Sequence, residues 1–346
     1  MPPPLYPAMS LGRVFGLRAA GVYYALGLLM VTLSVVAALT GRPGYLSAVN
    51  LTNIVYQSTL IGIMAVAMTV VLISGNFDLS VASVAALAAA VHISLVDATG
   101  FWPALLVSLG VAASVGLLNG VMVQFVGINA FIVTLGTLTA VRGLVLIVTN
   151  GRSLMVQNPH SLAVMTAFES GRLGSIPYPV FYMAAFTLAV WFVLGFTVVG
   201  RRIYAVGGNA EAARLSGINV TAYKLGAFVL SSLAAGFSGV LFGCRFGAIN
   251  PTAMQGDELT VIAAAILGGT SLFGGAGSVI KTLAGALLLF TLTNGFNILD
   301  LGANYQGLIE GTVLVVAAAI YTLGGKARRR NRPVAAGTTP LTKEAV

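Results

Sequence analysis

The chain has 346 residues, of which 58% are hydrophobic and only 8% charged, and its net charge is +9. Mean hydropathy is +0.95, whereas a soluble domain carries about 25% charged residues, so water is excluded as the main solvent. Apolar runs of about 20 residues recur, the length that crosses a hydrocarbon core as a helix, and the alternation of a transmembrane β-barrel is missing. The composition predicts an all-α polytopic membrane protein.

In chain order, ten spans are predicted: 22–40, 51–73, 79–97, 102–123, 130–149, 179–199, 222–243, 259–277, 279–298 and 305–324. Arg13 and Arg18 ahead of the first run resemble the start of a signal peptide. That run is longer than an ordinary signal core, however, and ends at Gly41-Arg42-Pro43-Gly44 without a small-x-small cleavage site. It is therefore read as an uncleaved span after a cytoplasmic segment 1–21. The boundaries near 75 and 278 rest on Gly-rich breaks alone, and the 42 glycines read as close helix packing and broken helices. Residues 22–324 form one transmembrane domain, interrupted by a long loop at 200–221. The basic stretch 325–346 has the composition of a disordered cytoplasmic tail.

Positive charge is distributed unevenly over the loops. With the N-terminus inside, thirteen of the 18 cations fall on the inner side and four, Arg42, Arg152, Arg172 and Arg245, on the outer side, while Arg142 lies within a span. Cytoplasmic loops are enriched in Lys and Arg, so both termini are placed on the cytoplasmic side. The positive balance is thereby a topology signal, and no nucleic-acid partner is implied. The single Cys244 can form no intramolecular disulfide.

Two segments repeat. Asn119–Thr137, NGVMVQFVGINAFIVTLGT, and Asn294–Thr312, NGFNILDLGANYQGLIEGT, both fit N-G-x6-G-x-N-x6-G-T at an offset of 175. Asp78-Leu79-Ser80-Val81 likewise matches Glu258-Leu259-Thr260-Val261 at an offset of 180. Five spans separate the copies, and an odd number makes the two five-helix halves inverted, a recurring transporter architecture. In this frame Asp78, in GNFDLSVAS, is expected as the N-cap of the third span, favoured by the helix dipole. Glu258 takes the matching place at the opposite face, and a gating contact is the other reading of Asp78.

Further polar positions near span ends are Asn119, Gln124, Asn129, Asn294, Asn297 and Asn304. They suit a hydroxyl-rich solute, and equally serve as caps encoded by the repeat; the two readings stay open. Arg142 lies within reach of the outer end of its span, where it can snorkel. Glu310 lies early in the tenth span and faces either the pathway or a partner such as Arg142. In the 200–221 loop, Asn209 is expected as an N-cap, Glu211 in the first turn of a short helix, and Gly217 just beyond its end. So short a helix is unstable alone in water and needs a partner or the membrane surface.

Two motifs mislead. GGAGSVIKT, Gly274–Thr282, resembles a phosphate loop, but Ile280 stands where Gly must precede Lys281. Gly236-Phe237-Ser238-Gly239 resembles the nucleophile motif of intramembrane serine proteases, yet His92 and His160 both precede Ser238, and a Ser without a positioned base is inert. Small-residue helix packing is the better reading there. His92, His160 and Cys244 show no metal-binding spacing.

The blocks GNFDLSVASVAAL, AFIVTLGTLTAVRGL, IYAVGGNAEAARLSGINV, INPTAMQGDELTVIAAAILGGTSLFGGAGSV and LTNGFNIL occur in order between about Asn50 and Tyr321. Together they resemble the permease subunits of bacterial ABC importers for monosaccharides of the ribose, xylose, arabinose and galactose type, a branched binding-protein-dependent permease family. The resemblance implies a type II importer-like fold in a bacterial inner membrane, without catalytic residues of its own, and a second permease subunit, identical or related. It also implies a cytoplasmic ATPase that holds ATP and Mg, with no cofactor on this chain, and a periplasmic sugar-binding protein. The helix at Ala210–Ser216, with Asn209, Glu211, Arg214 and Gly217, is then the coupling helix. Met254–Glu258 and Val156–Tyr178 become candidate contacts for the binding protein. Asp78, Asn119, Asn129, Arg142, Glu258, Asn294, Asn304 and Glu310 are the candidates for pathway or gate. An ion-coupled secondary transporter is the alternative, but its midplane titratable groups are limited here to Arg142 and Glu310.

Overall fold

The computed structural model describes residues 17–41, 44–300 and 311–312. Its elements in order are α1 (Leu17–Leu39), α2 (Ala48–Gln57), α3 (Thr59–Ile73), α4 (Val81–Thr99), α5 (Phe101–Val121), a π-helical turn (Met122–Val126), α6 (Ala130–Thr149), β1 (Leu154–Met155), α7 (Pro159–Ser170), β2 (Arg172–Leu173), β3 (Ile176–Pro177), α8 (Tyr178–Phe196), α9 (Val198–Gly208), α10 (Ala210–Leu215), α11 (Val220–Phe246), β4 (Ala248–Ile249), α12 (Asp257–Leu267) and α13 (Val279–Ile298). Seven described helices are long and apolar enough to cross a membrane. The pair α2 and α3, bent by 48° at Ser58, makes an eighth candidate.

These eight match eight of the ten predicted spans. The stretch 259–277 differs. Its helix, α12, is only 11 residues long, about 16 Å at 1.5 Å per residue, roughly half of a hydrocarbon core. It stops because Gly269 adopts φ 82, a left-handed conformation that glycine takes without steric penalty, and a glycine-rich turn runs on to Ser278. The tenth predicted span, 305–324, lies outside the described residues. So do Arg42, most of the 1–21 segment and the tail from 325.

Helix α3 is apolar on every side, and all 15 of its residues are buried, as expected of a helix in the middle of a bundle. Helix α4 is also central, with 72% of its apolar window buried, whereas α1 has 11% and is peripheral. Helix α11 crosses α4 and α5 through small residues. A Cβ at Gly239 would run into the Ala85 carbonyl, one at Gly236 into the Ala112 methyl, and one at Gly116 into the Phe228 carbonyl and Ser232. The Gly236–Gly239 motif is therefore a packing surface, and the Ser238 hydroxyl donates to the Leu60 carbonyl at 3.1 Å.

The connections sort to two ends. At one end the turn 74–80, the segment 197–219 and the turn 268–278 meet: the Gly275 N–H donates to the Ile73 carbonyl at 2.9 Å, and the Tyr204 hydroxyl donates to the Gly277 carbonyl at 2.9 Å. At the other end β1 pairs antiparallel with β4, and the Asp97 carboxylate accepts from the backbone N–H groups of Gln157 and Asn158. Helix α12 runs from the second end toward the first, so Asp78 and Glu258 lie at opposite ends.

The close crossing at Gly239 predicts that Gly239→Val destabilises the chain by about 1–3 kcal/mol through overpacking. Gly136→Ala, whose Cβ meets nothing within 4 Å, should leave stability unchanged. The thermal unfolding midpoint of the detergent-solubilised protein reads the difference.

Candidate functional site

The end that carries 197–219 holds most of the motifs singled out above. Helix α8 stops at Thr197, whose hydroxyl accepts from Gly200 N–H at 3.3 Å and caps α9. Helix α9 leads to Asn209, which has extended backbone and whose side chain accepts from Ala212 N–H at 3.0 Å. That is an N-cap, and it starts α10, a six-residue helix. Gly217 follows at φ 78, and the chain enters α11 through a second cap, Asn219 to Ala222 N–H.

Helix α10 touches the bundle mainly through Ala213, which is buried against Val206 and Val220. Glu211 and Arg214 lie 3.7 Å apart on its outer face, both 68% exposed, where such a pair contributes little. Leu215 is 82% exposed. A short capped helix with one buried methyl and an exposed leucine has an unfilled side.

Behind it the backbones of three segments touch. A Cβ on Gly207 would overlap the Ile73 carbonyl, and one on Gly274 would come within 2.6 Å of the Gly207 carbonyl. The glycines of the phosphate-loop look-alike are thus contact surface for the segment leading into α10.

Asp78 is fully buried in the turn between α3 and α4. The N-cap position of α4 is Ser80, two residues past the expected one. Asp78 Oδ1 accepts from the Ser80 N–H at 3.0 Å and hydroxyl at 2.6 Å, so its carboxylate still supplies the acceptor at this helix start. Oδ2 accepts from Ser231 of α11 at 2.8 Å. Burial pushes the Asp78 pKa up, and the bonds from Ser80 and Ser231 oppose the rise. The network continues: Asn119 donates to the Ser80 hydroxyl at 3.0 Å and accepts from Thr137 at 2.7 Å. Four helices, α4, α5, α6 and α11, are joined through Asp78 and Asn119.

The other candidates are not gathered there. Asn129, exposed, caps α6 by accepting from Phe131 N–H. Asn294 pairs reciprocally with Asn50 at 2.9 and 3.1 Å, tying α13 to α2. Arg142 donates to the carbonyls of Ala253 at 2.8 Å and Pro251 at 3.3 Å. Arg142 thus ties α6 to the segment between β4 and α12 at the end opposite α10. Asn304 and Glu310 lie outside the described residues.

One cluster has no counterpart among the sequence expectations. Glu169 of α7, fully buried, accepts from Arg245 Nε at 2.7 Å and from the Tyr56 hydroxyl at 2.7 and 2.8 Å. Arg245 stacks over the Tyr56 ring at 4.1 Å and reaches Thr59 at the α2–α3 bend. The sequence signal was limited to one scarce acid and one outer arginine 76 positions apart.

Comparison with known proteins places the geometry in a family. Residues 50–318 match the model of the branched-chain amino acid transport system / permease component family. The ribose import permease protein of Escherichia coli K12 is 38% identical over 293 residues, covering 84% of this chain and 91% of that protein. The L-arabinose ABC transporter permease protein of Azospirillum brasilense is 36% identical over 318 residues, 90% of each chain. The xylose transport system permease protein of Escherichia coli K12 is 33% identical over 333 residues, 79% of this chain and 84% of that one. No solved structure matches the chain.

Glu169→Ala should lower stability by about 3–5 kcal/mol, because it leaves the Arg245 charge part-buried and unpaired. Asp78→Ala should cost about 1–3 kcal/mol by orphaning Ser80 and Ser231, while Asp78→Asn, which can still cap and bridge, should keep the wild-type melting profile.

Proposed function

The chain belongs to the branched-chain amino acid transport system / permease component family, and from that membership we propose that it is the membrane subunit of an ATP-driven importer for a monosaccharide or small polyol. It is a transport component, not an enzyme. The ribose, arabinose and xylose permeases it resembles support the solute class. ATP and Mg belong to a separate cytoplasmic ATPase, and a periplasmic binding protein supplies the solute to a pair of permease subunits.

The observation that carries the reading is α10. Six residues cannot hold a helix in water by themselves, and Ala213 is the one residue of α10 that is buried. A groove on the ATPase fits the remaining face, with Leu215 as the apolar anchor and Glu211 and Arg214 at the rim. A push on α10 passes through α9 to the end of α3 and to the 268–278 turn, because the backbones are in contact there. Asp78 and Asn119 act as a conformational tie among α4, α5, α6 and α11 and do not line the solute path.

The finer architecture follows the repeat. Two inverted halves account for Asp78 and Glu258 at opposite ends. With α12 and its turn as a broken span and a last span over 305–324, the count is ten, both termini lying on the α10 side. Arg142 holds the 251–256 segment at the outer end, where the binding protein docks along Val156–Tyr178 and Met254–Glu258.

Co-expression with a candidate ATPase and binding protein tests the reading. The expected result is a stable complex whose ATP hydrolysis is stimulated by the solute-loaded binding protein. Leu215→Glu should cut that stimulation at least tenfold while leaving the unfolding midpoint of the isolated chain in place. Solute uptake by this chain alone, driven by an ion gradient, would overturn the proposal.

A further inference from the structure

A cavity of about 510 Å³ opens between α3, α8, α9 and α11, close to the end that carries α10. Val70, Val190, Leu194, Ile203, Ala227 and Leu230 form its walls, and among its lining residues only Tyr223 has a polar side chain. It reaches along α8 from Leu194 to Phe186, about 12 Å at the helical rise. Ala222 and Gly226 on its lip are exposed, so it opens on the flank of the bundle. Apart from the Tyr223 hydroxyl, such a cavity offers no side-chain hydrogen-bond partners, too few for a sugar or for ordered water. In a bilayer, the fluid available to fill it is hydrocarbon.

Its rim is cationic. On α9, Val199 and Ile203 line the cavity, and Arg202 stands three positions after Val199, beside it on the helix surface. Arg202 Nη1 donates to the Tyr223 hydroxyl at 3.0 Å, which fixes the guanidinium at the mouth. Arg201 and Arg202 are both exposed. Among the described residues no carboxylate pairs with either; Glu211 is held by Arg214 and Glu169 by Arg245. An apolar slot with a forked cation at its mouth has the chemistry of an anionic lipid, since guanidinium matches phosphate bidentately and basic pockets between spans on the cytoplasmic side hold such headgroups.

We infer that this crevice is a binding site for one anionic phospholipid, with an acyl chain between α8 and α11 and the phosphate against Arg202 and the Tyr223 hydroxyl. The lipid lies beneath α9, the strut that leads to α10, and so braces the segment through which a partner would move the bundle. Binding itself depends only on this chain and its membrane, not on the importer reading.

The test is native mass spectrometry of the purified chain in nanodiscs of dioleoyl phosphatidylglycerol or dioleoyl phosphatidylcholine. The wild type should retain one phosphatidylglycerol per chain and release phosphatidylcholine. Arg202→Gln should weaken retention about fivefold, the worth of one cation near an anionic headgroup, and Arg202→Lys should largely restore it. Gly226→Leu fills the slot from a position where an added Cβ meets nothing within 4 Å, and it should displace the lipid with Arg202 intact. Equal retention of the two lipids, or retention unaffected by both Arg202→Gln and Gly226→Leu, would overturn the inference. A crevice without lipid whose filling by Gly226→Leu changes the oligomeric state would overturn it too, since a second copy of the chain would then be the occupant.

Discussion

Helices in a bilayer gain no hydrophobic free energy by leaving lipid for each other, because acyl chains are as apolar as leucine. Association must come from the closeness of backbones and from polar groups that meet across them. The bundle is organised by that constraint. Helix α11 lies against α4 where Gly239 faces the Ala85 carbonyl, and α13 lies against α12 where Gly285 faces the Ala264 carbonyl. Each crossing depends on the absence of a side chain. The glycines at these crossings are therefore contact points, consistent with a core helix such as α3 that is buried along its whole length, whereas others, such as Gly136 and Gly226, face open space.

The second half of the constraint is that polar groups at depth need partners. Asp78, Ser80, Ser231, Asn119 and Thr137 satisfy one another across four helices. Thr69 and Thr282 pair at 2.7 Å between α3 and α13. Asn50 and Asn294 close a reciprocal amide pair. At the opposite end from α10, Glu169 and Arg245 fasten α7 over the α2–α3 bend. These groups act as ties between helices, whereas exposed charges sit toward the ends of the bundle, as with Asp97 late in α4, Arg201 and Arg202 on α9, and Glu211 and Arg214 on α10.

Legibility in the sequence followed the range of each signal. Long apolar runs act locally, and eight of ten predicted spans coincide with described helices or the bent pair. The Asn209 cap and the left-handed Gly217 are also local, and both stand where the pattern of residues 209–217 predicts them. The stretch 259–277 is apolar in hydropathy, which averages over a window and does not register the φ of Gly269, so the stop of its helix at Leu267 leaves no trace there. Asp78 was placed at a helix start, but that its second oxygen holds Ser231, 153 positions away, leaves no local trace. Glu169 and Arg245 were invisible as a pair for the same reason: neither lies in a motif, and the fold alone brings them together. The pathway candidates are polar residues near span ends, a position that capping and interhelical pairing fill as readily as a lumen does.

The junction of Gly207, Ile73 and the 274–275 turn has a mechanical meaning. Where side chains separate two elements, a small displacement is absorbed by rotamer changes before it travels further. Here main chain rests on main chain, and the Gly275 N–H to Ile73 carbonyl bond holds the turn in register. A shift of α9 by an ångström has no soft layer in which to dissipate. The helix ends on both sides of the joint move with it, so this end of the bundle behaves as a rigid lever.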